Sequence, residues 1–408
     1  MKAVFLALAF LALHGTRTAG QIRNLDDAIN QFSVHLFQAA LNDEPRNLVI
    51  SPLGVYMGLA GVLYGATNVT KRELEDFLHL SEEDLSEHVL DFGSIVTTLD
   101  LHSNVFLFLN KNRVFVKPSV SPTLRYENIL DSAFHSSVER VDFTDTIATA
   151  ELINDWSNQS TSTFIDKIVN PDELDEKTAV LIINAVYLFG EWATSFALMR
   201  TGPARFYVDE YTTKKVSMMY LEGMMNYGYL PQQKANFVVL PSKLSHNTEG
   251  LAVNVYFILP ETSEDLQHTD KTMYSLTLHD LNKTEEDVIN LRIPKFEIDT
   301  IEHFRNYFKR LRPFSQGDHF QGMPDESGPL KIKDLIQRTR FSVHEKGING
   351  PAPDKDGIMP VGPRLRIKGF WFNRPFFVVV ATENLILLTG KVMDPSIHKA
   401  CEDLYTIS

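Results

Sequence analysis

Cysteine is almost absent from this chain of 408 residues. The one cysteine, Cys401, lies close to the C-terminal end of the sequence, so no intrachain disulfide can form. Stability must therefore come from a large apolar core, which a chain of this length is able to bury. Cys401 is free to pair with another molecule, or it is a tail thiol without a role.

The signatures of the common enzyme classes are also missing. The sequence has no G-x-S-x-G, H-E-x-x-H, P-loop or G-x-G-x-x-G pattern. Its 13 histidines show no metal-ligand spacing. We therefore expect a protein that is not an enzyme and that needs neither a metal nor a cofactor.

Positive charge is scarce, since 39 Lys and Arg residues face 52 Asp and Glu residues, for a net charge of −13. Phosphate binding needs clustered lysine and arginine, so this balance argues against a nucleic-acid partner. The segment 73–91 is rich in Glu and Asp. If it lies on the surface it repels sulfated polysaccharides, and a heparin-like partner is not expected.

No segment after the first residues is long and apolar enough for a membrane helix. Residues 1–20 combine the positive charge of Lys2, an apolar run over 3–13 and small residues at 18–20, which is typical of a cleaved secretory signal. We expect a secreted, extracellular monomer of residues 21–408 with no membrane partner. Three glycosylation sequons agree with export: Asn68-Val69-Thr70, Asn158-Gln159-Ser160 and Asn282-Lys283-Thr284.

Hydrophobic periodicity predicts an α+β protein. One helical stripe covers 25–41 and a further helix is predicted over 151–168. Residues 180–189 are apolar on both faces, which indicates a central strand. From Thr201 onward strand patterns dominate, and 376–382 and 384–389 read as buried closing strands. With no linker or repeat to divide it, the chain is expected to form one domain.

The segment 343–376 is a long polar stretch in front of those closing strands. It contains four prolines and three glycines in its central part, which exclude a helix or a central strand. Its distal half carries Arg364, Arg366 and Lys368, a cluster that suits a trypsin-like protease. A loop of this length and composition is usually functional.

The order of short motifs along the chain resembles the serpins. The resemblance runs from about Phe32 to Pro395 and includes a series of motifs in the family's order: Asn47–Pro52, Val141–Phe143, Asn154–Trp156, Asn184–Trp192, Thr201 with Phe206, Val216–Met219, Ile293–Phe296, Glu345–Gly347, Phe372–Phe376 and Thr389–Lys391 with Pro395. It implies three β-sheets, eight or nine helices, a reactive-centre loop over about 345–372 and a C-terminal tail over 396–408. In inhibitory serpins this loop is cut by a protease and then inserts into the large sheet.

The resemblance also assigns the hinge of the loop. Glu345 matches the acidic residue that pairs with a lysine, here Lys295, and Gly347 matches the hinge glycine. After Gly347 the sequence departs from the family's inhibitory pattern, which is a Thr or Ser followed by Glu and a run of alanines. By strand alternation Ile348, Gly350, Ala352, Asp354 and Asp356 point inward, while Pro351 and Pro353 remove two ladder donors. Because an unpaired buried carbonyl and a buried carboxylate are both costly, we expect insertion no further than about Ala352.

Two further sites follow from the resemblance. Ser51 and Asn184 match the polar pair under the large sheet, with Gly54 in place of a second serine and Gln337 in place of a histidine. Trp192 stands at the top of the sheet. Spacing from the distal anchor places the scissile bond at Arg364-Leu365, with Arg366-Ile367 as second choice. These basic residues are alternatively plain solvated loop charges.

Two functions fit the sequence. One is a secreted serpin that no longer inhibits, acting as a carrier, binding protein or protease-cleaved decoy. The other is an inhibitor of a trypsin-like serine protease through Arg364. Fold alone cannot decide between them. The hinge sequence favours the first, because its prolines and aspartates oppose insertion.

Overall fold

A computed structural model describes residues 24–41, 45–81, 85–100, 103–244, 252–349 and 367–396. These ranges contain ten α-helices and fifteen β-strands. The helices are α1 (Leu25–Leu41), α2 (Pro52–Gly65), α3 (Asn68–Leu78), α4 (Leu85–Leu99), α5 (Leu124–Phe134), α6 (Thr146–Ser160), α7 (Leu266–Thr272), α8 (Leu278–Leu281), α9 (Arg305–Phe308) and α10 (Arg312–Ser315). The count exceeds the expected eight or nine because α8, α9 and α10 are single turns of 4 residues. No helix in the described ranges is long and apolar enough to cross a membrane.

Nine strands form one sheet. They are β1 (Leu48–Ile50), β5 (Gly202–Tyr207), β6 (Thr213–Leu230), β7 (Ala235–Pro241), β8 (Val253–Pro260), β9 (Glu285–Pro294), β13 (Lys368–Trp371), β14 (Phe376–Thr382) and β15 (Ile386–Val392). Their order is β1-β15-β14-β8-β7-β6-β9-β13, with β5 paired to β6. The two closing strands predicted from the sequence are β14 and β15, and both are buried along their whole length.

Six strands form the second sheet. They are β2 (Phe106–Val116), β3 (Val138–Arg140), β4 (Val180–Glu191), β10 (Phe296–His303), β11 (Ile332–Val343) and β12 (Gly347–Ile348). The order is β10-β11-β12-β4-β2-β3, and below β12 the strands β11 and β4 pair directly in parallel. The predicted central strand over 180–189 is β4, which is confirmed.

The described strands thus make two hydrogen-bonded sheets where the resemblance implied three. The reason is β6, which has 18 residues. Its first part pairs with β5, its middle with β9 and its last residues with β7. One continuous strand therefore joins two groups of strands into a single sheet.

Helix α2 lies between the two sheets and contacts β15 as well as β2, β4 and β11. It begins at Ser51, whose hydroxyl accepts a hydrogen bond from the Gly54 N–H, and Pro52 occupies the first helical position. Nearly all its residues are buried. This helix packs beneath the line along which β4 pairs with β11, which we name the seam.

The helix predicted over 151–168 is wrong in its second half, because α6 ends at Ser160. Ser162 and Thr163 have φ values of 52° and 71°, and this left-handed conformation cannot continue a helix. The following segment, residues 161–169, which we name the strap, crosses the outer face of the six-stranded sheet. Its Phe164 ring stacks on Tyr187 of β4 at 3.8 Å, and its Phe164 carbonyl accepts a hydrogen bond from Arg340 of β11 at 3.2 Å.

Candidate functional site: the loop hinge and the sheet seam

The proximal end of the loop forms a strand. Residues Gly347 and Ile348 make up β12, which lies between β11 and β4 at one end of their seam. Ile348 pairs with Val343 on one side and Gly190 on the other, and its side chain is 1% exposed. Its inward orientation agrees with the strand alternation predicted from the sequence. The hinge is thus already inserted as far as Ile348.

A glycine is required at position 347 by close packing. A Cβ atom there would lie 1.9 Å from the carbonyl oxygen of Gly190 and 2.8 Å from the Cα of Glu191. Both are backbone atoms of β4, which cannot move aside without breaking the sheet. The hinge glycine is therefore needed for the contact between two strands.

The predicted ion pair of the hinge is formed. Lys295 Nζ lies 3.0 Å from Glu345 Oε2, and Glu345 is fully buried. Burial acts to raise the pKa of the Glu345 carboxyl, but its own backbone N–H and Lys295 outweigh burial, so that the pKa is lowered. The carboxylate is charged at neutral pH and fixes the turn between β11 and β12.

Trp192 is buried and holds the same turn. Its backbone N–H donates to the Lys346 carbonyl at 2.7 Å, and its indole Nε1 donates to the His344 carbonyl at 2.9 Å. The sequence suggested a core aromatic at the top of the sheet. Its two hydrogen bonds also anchor the hinge turn to the end of β4.

Asn349 directly follows β12 and was not predicted to have a role. It has a φ of 51°, in the left-handed region that asparagine tolerates. Its side-chain Nδ2 donates to the Leu188 carbonyl of β4 at 2.7 Å and to the Arg340 carbonyl of β11 at 3.2 Å. The Asn349-Gly350 dipeptide is a turn signal that could have indicated this break.

The polar pair under the sheet is joined by Gln337. Its Nε2 donates to Asn184 Oδ1 at 2.6 Å and to the Ser51 carbonyl at 2.8 Å, and its Oε1 accepts from the Ser51 N–H at 2.9 Å. The three residues are at most 1% exposed. A glutamine therefore bridges β11, β4 and the start of α2 across the seam.

Gly54 makes room for this network. Asn184 Nδ2 donates to Asn110 Oδ1 at 2.7 Å, and a Cβ on Gly54 would lie 2.3 Å and 2.7 Å from the Oδ1 atoms of Asn184 and Asn110. The two amides occupy the space that a side chain at position 54 would need. Asn110 thus takes part in the site without having been predicted.

Gly54→Ser, which restores the serine expected at this position, should therefore destabilise the protein by about 1–3 kcal/mol through overpacking. Chemical denaturation monitored by tryptophan fluorescence measures the change. Gly223→Ala is the matched control, because a Cβ there meets nothing within 4 Å. A stability of Gly54→Ser equal to that of the wild type would show that the amides move aside at no cost.

A histidine bridge lies at the opposite end of the seam. His303 Nδ1 is 2.9 Å from Asp334 Oδ2, and its Nε2 is 3.1 Å from Glu173 Oε1. The hydrogen bond with Asp334 raises the pKa of His303, against an opposing contribution from burial. When it is protonated, the imidazole thus joins β10, β11 and the turn before β4.

A raised folded-state pKa means that this bridge stabilises fully below the unfolded pKa of about 6.5 and loses strength as pH rises through the folded value. His303→Gln should lower the melting temperature most near pH 5.5 and least near pH 8.5. Differential scanning fluorimetry over that range tests this, with the exposed His279→Gln as control. A pH-independent difference would contradict it.

The remaining predicted residues are placed as follows. Gly350, Pro351, Pro353, Arg364, Leu365, Arg366 and Cys401 lie outside the described residues. Ile367 is half-buried directly before β13, which pairs with β9 and anchors the distal end of the loop. Asn68 and Asn282 are exposed, whereas Asn158 is half-buried within α6. No group of metal-ligating side chains occurs in the part of the chain that the structure describes.

Together these features define a protein whose six-stranded sheet accepts the beginning of its own loop as a strand. A family model described as "Serpin (serine protease inhibitor)" matches residues 27–395. The chain belongs to the serpin family, whose members are mostly protease inhibitors.

Relatives and solved structures agree with this assignment. Intracellular coagulation inhibitor 2 of Tachypleus tridentatus is 28% identical over 380 residues, covering 91% of each chain. Serpin I2 of Homo sapiens is 25% identical over 403 residues, covering 97% of each chain. Serpin48 of Tenebrio molitor superposes with a TM-score of 0.78 at 24% identity, covering 93% of this chain and 100% of that one. Human thyroxine-binding globulin, in a complex with thyroxine, has a TM-score of 0.80 at 18% identity, covering 91% and 99%.

Proposed function

We propose that this chain is a secreted serpin whose reactive loop is cleaved by a trypsin-like protease but does not complete insertion. It then acts as a substrate, decoy or binding protein and forms no trapped complex. The observation that carries this proposal is the register of β12, because it determines where each later loop residue would lie in the seam.

Continuing that register places Asp354 between Gln337 and Asn184 and places Asp356 between Leu335 and Ile182. Leu335 and Ile182 are fully buried. A carboxylate between two such side chains has no partner to offset its desolvation, which costs several kcal/mol. Insertion as far as Asp356 is therefore strongly unfavourable.

Pro351 and Pro353 also oppose insertion of the loop between β4 and β11. In the continued register Pro351 faces Arg340 and Tyr187, and Pro353 faces Arg338 and Ala185. Neither proline has an N–H to give to the ladder, so a carbonyl on a neighbouring strand is left unpaired at about 1–3 kcal/mol. Slow insertion allows the acyl-enzyme to hydrolyse first, and the loop behaves as a substrate.

The experiment is a titration with trypsin, followed by denaturing gel electrophoresis and a melting curve of the cleaved protein. We expect a clean cut after Arg364, no complex that resists denaturation and little change in melting temperature. Arg364→Ala identifies the cut, with Arg366→Ala as its matched control. The variant in which Pro351, Pro353, Asp354 and Asp356 are all alanine should gain thermal stability on cleavage.

The second candidate is inhibition of a trypsin-like protease through Arg364. It is favoured by the inserted hinge, by the intact Glu345–Lys295 pair and by relatives named as inhibitors, such as the coagulation inhibitor above. A near-stoichiometric complex with trypsin that survives denaturation would establish this function in place of the first.

Secretion is the part of the proposal that rests on residues 1–20. Expression of the full chain in animal cells should deliver protein that starts at Gln21 to the medium. Removal of N-linked glycans should then increase its mobility on a gel. Asn68→Gln and Asn282→Gln, at the two exposed sequons, should each reduce that mobility change.

A further inference from the structure

The seam between β4 and β11 closes immediately below the hinge. Arg340 of β11 and Tyr187 of β4 are the last directly paired residues, and beyond them β12 separates the two strands. Asn349 lies at the point where the two strands diverge, which we name the fork. Its backbone N–H still donates to the Ser342 carbonyl at 3.0 Å, as a strand residue would. Its left-handed φ departs from the extended conformation of a strand.

The Asn349 carboxamide connects both sides of the fork. Nδ2 donates to the Leu188 and Arg340 carbonyls, and Oδ1 accepts a hydrogen bond from the Ser342 hydroxyl. Leu188 belongs to β4 and the other two residues to β11. One side chain therefore completes the hydrogen bonding of two strands at the point where they diverge.

These two carbonyls are the acceptors that further insertion would need. Backbone N–H groups of an inserted strand alternate between its neighbours, so residue 350 would face Leu188 and residue 351 would face Arg340. Gly350 has an N–H to offer, but Pro351 has none. Insertion past Asn349 thus breaks two hydrogen bonds and replaces only one of them.

The strap also opposes insertion past Asn349, from the outer face of the six-stranded sheet. A residue at position 351 would share its face with Tyr187 and Arg340, whose side chains contact Phe164. Arg338, one pair further along, donates to Asp166 and to the Lys167 carbonyl. The position that Pro351 would occupy is therefore already covered.

We propose that Asn349 is an insertion stop, which holds the hinge at Ile348 and prevents the loop from entering the seam. This inference rests on the proposed function, since it explains where insertion ends. The stop acts in the intact protein, before any protease arrives. The insertion stop depends on the side chain of Asn349 and on Pro351, which has no N–H to donate.

The first test measures hydrogen exchange of the intact protein. Asn349→Gly keeps the left-handed backbone accessible but removes the carboxamide, and Asn349→Asp keeps the size but removes both donors. We expect amide exchange over 347–349 to become at least about tenfold faster in both, equivalent to about 1.4 kcal/mol. The exposed Asn128→Asp is the control. Wild-type exchange in Asn349→Gly would overturn the stop.

The second test separates the stop from the proposed function. After trypsin cleavage, exchange over 350–352 should stay fast in the wild type and become slow in the double variant Asn349→Gly/Pro351→Ala. Slow exchange over 350–352 alone in the cleaved wild type would overturn the stop. Slow exchange reaching Asp356 would overturn the proposed function as well, because the whole proximal loop would then be inserted.

Discussion

Asp270→Ala should lower the free energy of unfolding by about 3–5 kcal/mol, because it leaves a buried lysine without its partner. Lys391 Nζ of β15 lies 2.8 Å and 2.7 Å from the two carboxylate oxygens of Asp270 in α7. The side chains are only 4% and 11% exposed. Solvent therefore cannot replace the lost charge. Urea denaturation of the full chain gives the value.

The control for this prediction removes both charges. Asp270→Leu/Lys391→Met replaces the pair with apolar side chains of similar size, and it should recover most of the loss. Asp270→Leu, Lys391→Met and this double variant together form a cycle that isolates the interaction of the pair. A loss below about 1 kcal/mol in Asp270→Ala would show that Lys391 finds another partner or reaches water.

Gly347→Ala should expel the hinge from the seam, since its Cβ cannot fit beside the Gly190 carbonyl. The protein remains folded but loses the burial of Ile348, worth about 1.5–3 kcal/mol, and the hydrogen bonds of β12. We expect a destabilisation of about 3 kcal/mol and a new trypsin cut after Lys346. Denaturation and mass spectrometry of the digest measure the two effects.

Gly202→Ala is the matched control for the hinge glycine, because it adds the same methyl group to a strand with nothing within 4 Å. It should change the free energy of unfolding by less than about 0.5 kcal/mol and create no new cut. If the Gly347→Ala protein were as stable as the wild type and were not cut after Lys346, the prediction would be wrong, because the backbone of β4 would then have moved to accommodate the methyl group.

Local pattern predicted much of this fold. The helical stripe over 25–41 and the apolar run over 180–189 are long and regular, and both match α1 and β4. The inward direction of Ile348 followed from strand alternation alone. The strap was missed because the break in the helix depends on the backbone conformation of two residues, Ser162 and Thr163.

The unpredicted parts of the site depend on contacts between distant segments. Asn110 matters only because it meets Asn184, and Asp270 only because it meets Lys391 across 121 positions. A single sequence carries no signal for such pairs. Asn349 is different, since Asn-Gly is a recognisable turn signal, but its two acceptors are known only once β4 and β11 are placed.

The order of strands in the nine-stranded sheet means that this sheet can be completed only at the end of synthesis. β14 and β15 lie between β1 and β8, although the chain makes β1 first and these two strands last. Until they leave the ribosome, β1 has no neighbour in this sheet and β8 keeps one edge unpaired. A chain that stops before Phe376 would expose that edge, and an exposed strand edge can pair with another chain. The complete protein covers it with its final strands.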